Sequence, residues 1–392
     1  MQDHCRVNWR APLKTRIIIL AMTLGWLCGG ILRGADPAAT KTHPSLYPMS
    51  GGRVRVKRYG HAVRRRVRTW SPWHVSSMGD PTAYDDPAGE NLAIRRAAIE
   101  ALGRWNGAIV VVDPNTGRIL TMVNQRLVLG SAFLPCSTFK PIVALAALSR
   151  RVITPQTRIK IGPRWSVNLT YALAHSINEY FFKVGEMVGF PALAHYAHEF
   201  GLGQRAGWDI PGESSGLFPS EPPPDGVGNL AYLGEGMQVT MLQMAAAISA
   251  IANGGTLYYL QYPRTPEEIR QFVPRAHRTL TDVVPYLSAV RAGMAGAVLE
   301  GTARLAYDSS DPILGKTGTC SEDGARLGWF DSYRKDSPRY VVITLLRGGR
   351  PMFGPHAAEI AGRLYRKLRQ INPPSTAPAR ADNASLEPAR RR

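Results

Sequence analysis

The chain of 392 residues is long enough for two or three domains, and its 44 % apolar content suffices for at least one sizeable core. Its net charge of +19 suggests a nucleic-acid partner until the charge is located: residues 1–79 carry 14 Lys/Arg against Asp3 and Asp36, and residues 363–392 carry 8 against Asp382 and Glu387. Residues 80–362 are therefore close to neutral, and no recognition module accompanies the charge, which argues against nucleic acid and for basic tails that touch anionic lipid or an acidic polymer.

The first predicted element is an uncharged run, residues 17–32 (IIILAMTLGWLCGGIL). As a helix it spans about 24 Å, slightly short for a membrane crossing. Arg6, Arg10, Lys14 and Arg16 precede it, and only Arg33 and Lys41 follow within the next twenty residues, so the bias places residues 1–16 in the cytosol and the body outside. A single retained transmembrane anchor is the expectation, and a cleaved signal peptide is the competing reading. Either way the body is exported, and Cys136 and Cys320 are then the pair available for a disulfide.

Residues 33–80 read as a basic linker and residues 81–370 as the folded domain, followed by a disordered tail, 371–392. A helical pattern covers Asn91 to Arg104. GAIVVVD (107–113) and GRILTMV (117–123) read as two strands joined by Pro114-Asn115-Thr116. Residues 138–150 read as a helix. Residues 170–260 are mostly helical by pattern and end at the breaker Asn253-Gly254-Gly255. Leu287–Glu300 is a helix that Gly301 caps. Three strands follow at 312–319, 326–333 and 339–347, then a helix at 356–370. The expected fold is α+β: a five-stranded antiparallel sheet made from both chain ends and packed with helices, a helical lobe, and an active site between them.

Three short motifs carry the chemistry. In Ser137-Thr138-Phe139-Lys140, a helix opening at Ser137 places Lys140 one turn on and on the same face, where a neutral lysine can take the serine proton. Burial and a second nearby cation lower a lysine pKa enough for that. In Ser176-Ile177-Asn178 the hydroxyl can relay a proton and the amide can bind a substrate amide. In Lys316-Thr317-Gly318-Thr319 a strand edge can pair with an extended substrate, Lys316 supplies the second cation, and Gly318 allows close approach. The first two patterns each arise by chance about once in a chain of this length. Ser332-Tyr333-Arg334-Lys335 and Ser166-Val167-Asn168 are such second copies. Lys316-Thr317-Gly318-Thr319 occurs once. The second copies are set aside, Ser332 because it follows Lys316 on a predicted strand and Ser166 because it lacks an apolar helical flank. No His/Cys/Asp cluster has metal-ligand spacing, so neither metal nor cofactor is expected.

With those motifs in order, the chain from about Gly107 to Arg369 resembles the transpeptidase domain of class B penicillin-binding proteins. GAIVVVDPNTGRILTMV, ALAHSINEYFFKVGEMVG, GLFPS, LGEGMQVTMLQMAAAISAIANGGTL, EGTAR and WFDSY extend the likeness beyond the triplets. The resemblance implies that Ser137 is acylated, Lys140 is its base, Ser176 shuttles the proton and Asn178 orients the peptide. It implies that Lys316 and Thr317 hold the electrostatics and that Thr319 reads a substrate carboxylate. The backbone N–H groups of Ser137 and Thr319 would form an oxyanion hole, worth about 3 kcal/mol per donor. The implied partners are peptidoglycan stem peptides, β-lactams, the membrane and a membrane glycosyltransferase.

The chain departs from that family at Cys136, where glycine is usual, and at Glu179 and Glu235, where neutral residues are commoner. If the family geometry holds, Cys136 and Cys320 fall within disulfide reach; two small buried thiols that do not face each other are the alternative. Three activities stay open: a D,D-transpeptidase, a β-lactamase or D,D-carboxypeptidase with water as acceptor, and a β-lactam or muropeptide sensor. Asn178 argues against the class D β-lactamases. No residue stands out as a second base to activate a deacylating water.

Overall fold

The computed structural model describes residues 73–335 and 339–371. The predicted cytosolic segment, the apolar run 17–32, most of the basic linker and all but the first residue of the tail lie outside the described residues. Among the described residues no helix is long and apolar enough to cross a membrane.

Helix α1 (Leu92–Leu102) starts at Asn91, whose side chain accepts hydrogen bonds from Ala93 N and Ile94 N. Strands β1 (Gly107–Val112) and β2 (Ile119–Val123) form the expected hairpin. After α2 (Gln125–Gly130), a short 3-10 turn, Cys136–Phe139, runs directly into α3 (Lys140–Ser149). The hairpin β3 (Ile159–Gly162) and β4 (Trp165–Val167) precedes α4 (Leu169–Ala174), α5 (Asn178–Val188) and α6 (Phe190–Glu199). Next come α7 (Val227–Leu233) and α8 (Met241–Asn253). A second hairpin pairs β5 (Thr256–Tyr258) with β6 (Ala276–Thr279) around α9 (Pro266–Arg270). Helix α10 (Leu287–Leu299), strands β7 (Ile313–Glu322), β8 (Ala325–Arg334) and β9 (Val341–Gly348), and helix α11 (Gly354–Ile371) complete the chain.

The five long strands form one sheet in the order β2-β1-β9-β8-β7, antiparallel throughout. Both chain ends meet where β1 pairs with β9, Val110 opposite Ile343. Every residue of β1 is buried because both faces of the sheet are covered. Ala108, Val110 and Val112 enter the core shared with α3 and α8, whereas Ile109 and Val111 enter the core under α1 and α11. That two-sided burial explains an apolar run without alternation, and each such valine contributes about 2 kcal/mol. Strand β7 is left at the edge of the sheet, beside the turn that carries Ser137.

Four expectations change. Residues 170–260, expected to be mostly helical, hold α4 to α8, but 201–226 between α6 and α7 form loops, and β5 follows the Asn253-Gly254-Gly255 breaker. Helix α10 ends on Glu300, and Gly301 is required for close approach instead, since a Cβ there would lie 2.0 Å from the Ala174 carbonyl oxygen. Strand β7 runs three residues past 319, to Glu322. The last described residues of the linker are bonded to the fold: Gly324 O accepts from His74 N, Ser77 O from Asn106 N, Ser76 O from Asn106 Nδ2, and Ser77 Oγ from Gly349 N.

Candidate active site

The Ser137–Lys140 spacing is realised by the 3-10 turn rather than by an α-helix opening at Ser137. Lys140 becomes the first residue of α3, with Pro141 behind it supplying a fixed φ where no N–H is needed. Cys136 begins the turn at φ +54°, the left-handed region that favours glycine. Ser176 sits at φ +55°, a second strained position, in the turn between α4 and α5.

These constraints bring all three motifs to one place. Lys140 has no exposed surface. Its Nζ donates to Asn178 Oδ1 at 2.6 Å, Ser176 O at 3.0 Å and Ser176 Oγ at 3.2 Å. Lys316, equally buried, donates to the same Ser176 Oγ at 2.8 Å and to Thr317 O at 2.9 Å. Ser176 thus accepts from both lysines. Lys140 also lies 5.3 Å from the centre of the Phe181 ring. Burial drives the Lys140 pKa well below its ordinary value, and the Lys316 charge lowers it further. Lys316 is lowered to about 7 by burial, against the opposing pull of Asp331.

The Lys140 backbone N–H donates to Ser137 O, but Lys140 Nζ bonds Ser176 and Asn178 and not the Ser137 hydroxyl. Ser137 lines a cavity of about 340 Å³ with Ser176, Asn178, Thr317 and Thr319. Catalytic contacts commonly tighten only when substrate arrives. Since Lys140 takes Asn178 Oδ1, the group Asn178 offers a substrate is Nδ2. Gly318 was expected to make room for substrate; what it allows here is close packing of β7 on the protein's own turn, since a Cβ there would meet Pro135 O and Thr138 Cγ2, each at 3.0 Å.

Cys136 and Cys320 form a disulfide, with Cα atoms 5.7 Å apart. The alternative of two thiols that do not face each other fails because Lys316, Gly318 and Cys320 share one face of β7, and that face meets the Cys136–Phe139 turn. The bond holds the backbones of Ser137 and Thr319 near each other, as a shared oxyanion site requires.

The family profile of the penicillin binding protein transpeptidase domain matches residues 107–366. The chain belongs to the penicillin-binding protein transpeptidase family. Among relatives of this transpeptidase domain, stage V sporulation protein D of Bacillus subtilis is 30 % identical over 290 residues, covering 65 % of this chain and 44 % of its own length. The peptidoglycan D,D-transpeptidase MrdA of Haemophilus influenzae is 25 % identical, covering 72 % of this chain and 56 % of its own length. FtsI of Escherichia coli, another peptidoglycan D,D-transpeptidase, is 26 % identical over 75 % of this chain and 55 % of its own length. The chain thus spans about half the length of these relatives. The transpeptidase domain of penicillin-binding protein 3 from Burkholderia pseudomallei has the same fold, with a TM-score of 0.63 at 22 % identity over 76 % of this chain and 99 % of that one.

The transpeptidase cavity includes residues the motifs do not contain. Thr302, Arg326, Phe353 and Pro355 also line it. Thr302 Oγ1 lies 2.5 Å from Thr317 Oγ1. Thr302 belongs to EGTAR, so it was visible as a resemblance but had no assigned role. Phe353 and Pro355 flank the start of α11 and gave no signal in sequence. The duplicate motifs fall outside the site: Ser332 Oγ donates to Val342 O at 3.1 Å within the core, and Ser166 lies on the β3–β4 hairpin. Glu179 is exposed and paired with Lys183 at 2.9 Å. Trp329 is fully buried and donates to Leu134 O at 3.1 Å.

Proposed function

We propose that this protein is a peptidoglycan D,D-transpeptidase. The observation that carries the reading is the pair of buried lysines, Lys140 and Lys316, converging on Ser176 Oγ at the wall of the cavity that holds Ser137. The family's membership and the names of its relatives support the same activity.

In this mechanism, neutral Lys140 accepts the proton of Ser137 as Ser137 Oγ attacks the carbonyl carbon of the D-Ala-D-Ala peptide bond. Backbone N–H groups of Ser137 and Thr319 stabilise the resulting oxyanion. The C–N bond then breaks. The departing amine takes a proton passed from Lys140 through Ser176 Oγ, and D-Ala leaves. An acceptor amine attacks the Ser137 ester, loses its proton along the same relay in reverse, and returns the serine hydroxyl. Lys316 keeps positive charge beside Ser176, and Thr319 binds the substrate carboxylate. A penicillin, whose strained amide takes the place of the peptide bond, acylates Ser137 by ring opening; its leaving nitrogen stays attached to the acyl group, so no fragment departs to make room for the acceptor amine.

The same reading includes a body held outside the cytoplasm by the run at 17–32, with a membrane glycosyltransferase as a candidate partner. Its support is the Lys/Arg bias around that run. Mass spectrometry of the protein with a penicillin tests the chemistry. The expected result is one penicilloyl adduct on Ser137 that persists for minutes. Rapid catalytic release would reassign the protein to a β-lactamase or carboxypeptidase.

A further inference from the structure

Asp331 has no exposed surface, and neither of its carboxylate oxygens has a hydrogen-bond partner. A buried carboxylate in that condition is costly unless another group shares its charge or its proton. On β8, Asp331 stands directly opposite Lys316 of β7. Its neighbours along the strand, Trp329 and Tyr333, enter the core shared with α3 and α8, so Asp331 faces the same way. The side chain lies against the acylation turn: Thr138 is beside it, yet the Thr138 hydroxyl proton is given to Pro135 O at 2.7 Å.

The surrounding elements offer one counter-charge. Helix α8 has no charged residue. The charged residue of β9, Arg347, sits over the Phe133 ring at 6.0 Å. The turn Cys136–Phe139 has no titrating group, because Cys136 is in the disulfide. Lys140 of α3 is committed to Ser176 and Asn178. Arg334, at the end of β8, is paired with Asp311 at 2.6 Å, and Arg291 of α10, beside Tyr333, donates to the carbonyl oxygens of Ile251 and Ala252. Lys316 remains.

We propose that Asp331 is a positioning residue for Lys316: its buried carboxylate, in register with Lys316 across the strand pair and joined to it by neither hydrogen bond nor ion pair, favours the protonated amine beside Ser176 while Lys140 works as a base. The inference rests on the transpeptidase reading for its catalytic consequence only. Buried groups that face each other across a strand pair and interact electrostatically titrate as a pair, not as separate residues. Burial pushes Asp331 up to about 8 and Lys316 down to about 7, so both titrate in the range where the protein would work. Each lowers the cost of the other's charge. Without the carboxylate, Lys316 gives up its proton at lower pH, and Lys140 loses part of the field that keeps it neutral.

The test is the pH dependence of acylation by a fluorescent penicillin in the full chain and in Asp331→Asn, which keeps shape and removes charge. The alkaline limb of the variant should move to lower pH by about one unit or more. A purely structural role would lower the rate by the same factor at every pH, and a limb that stays in place overturns the proposal. Infrared titration of the wild-type chain with 13C-labelled aspartate supplies a readout that needs neither the variant nor turnover. An aspartic acid carbonyl band should disappear as pH rises through the neutral range; ionisation of every aspartate in the ordinary carboxylate range overturns the coupling of Asp331 to Lys316. If the wild type fails to acylate, the transpeptidase reading falls, and the infrared result still decides the pairing.

Discussion

The disulfide between Cys136 and Cys320 ties the residue before Ser137 to the residue after Lys316-Thr317-Gly318-Thr319, across 184 positions of chain. It closes a loop that contains the whole helical lobe. Thiol counting on unfolded, alkylated protein purified from an oxidising compartment should find neither cysteine free. Reduction should lower stability by about 4 kcal/mol, read as a shift in denaturant midpoint. Acylation of the reduced protein should slow, because the two oxyanion donors are no longer tied together.

Ser137→Ala should abolish covalent penicillin labelling while leaving the melting temperature within a few degrees of wild type, as Ser137 lies half-buried at the cavity wall and its hydroxyl bonds nothing in the core. Labelling that survives on Ser332 would sink the site assignment. Ser332 is buried and bonded to Val342 O, so no adduct is expected there.

Lys140→Met should separate activity from stability. Acylation should fall by about 1,000-fold with the base removed. Lys140 has a folded pKa below its unfolded value, so its burial costs most at low pH and the cost fades as pH rises through the folded value toward the unfolded one. The methionine variant should therefore melt higher than wild type at neutral pH, and by a smaller margin at alkaline pH. Calorimetry across that range checks the sign. In wild type, acylation should rise with pH as Lys140 loses its proton and fall as Lys316, at about 7, and its partner lose theirs.

A chain beginning at Asp80 should fold less stably than one beginning at Trp73. The hydrogen bonds made by His74, Ser76 and Ser77 to the sheet end are lost in the shorter chain, at about 1 kcal/mol each. Equal melting temperatures would show that those residues contribute nothing. Both chains should acylate, since none of the removed residues touches the cavity.

Much of this molecule is written locally. The β1–β2 hairpin shows in its apolar runs and its Asp-Pro-Asn turn, α1 in Asn91, and the end of α8 in Gly254, whose φ of +100° suits glycine. The three motifs were legible because residue type, spacing and order suffice to name them. Asp331 was on the page too, as an acid in the middle of an apolar strand, but only a facing lysine gives it meaning. Register between β7 and β8 decides that, and register depends on pairing across the sheet. The same holds for the disulfide. Sequence narrows its partners to Cys136 and Cys320, whereas the face of β7 that meets the acylation turn decides whether they join. Ser176 bonding both lysines, Thr302 against Thr317, and the cavity wall at Phe353 are likewise tertiary. Each depends on two segments far apart in the chain meeting to within an ångström, which local propensity cannot specify and close packing of two cores on one sheet can.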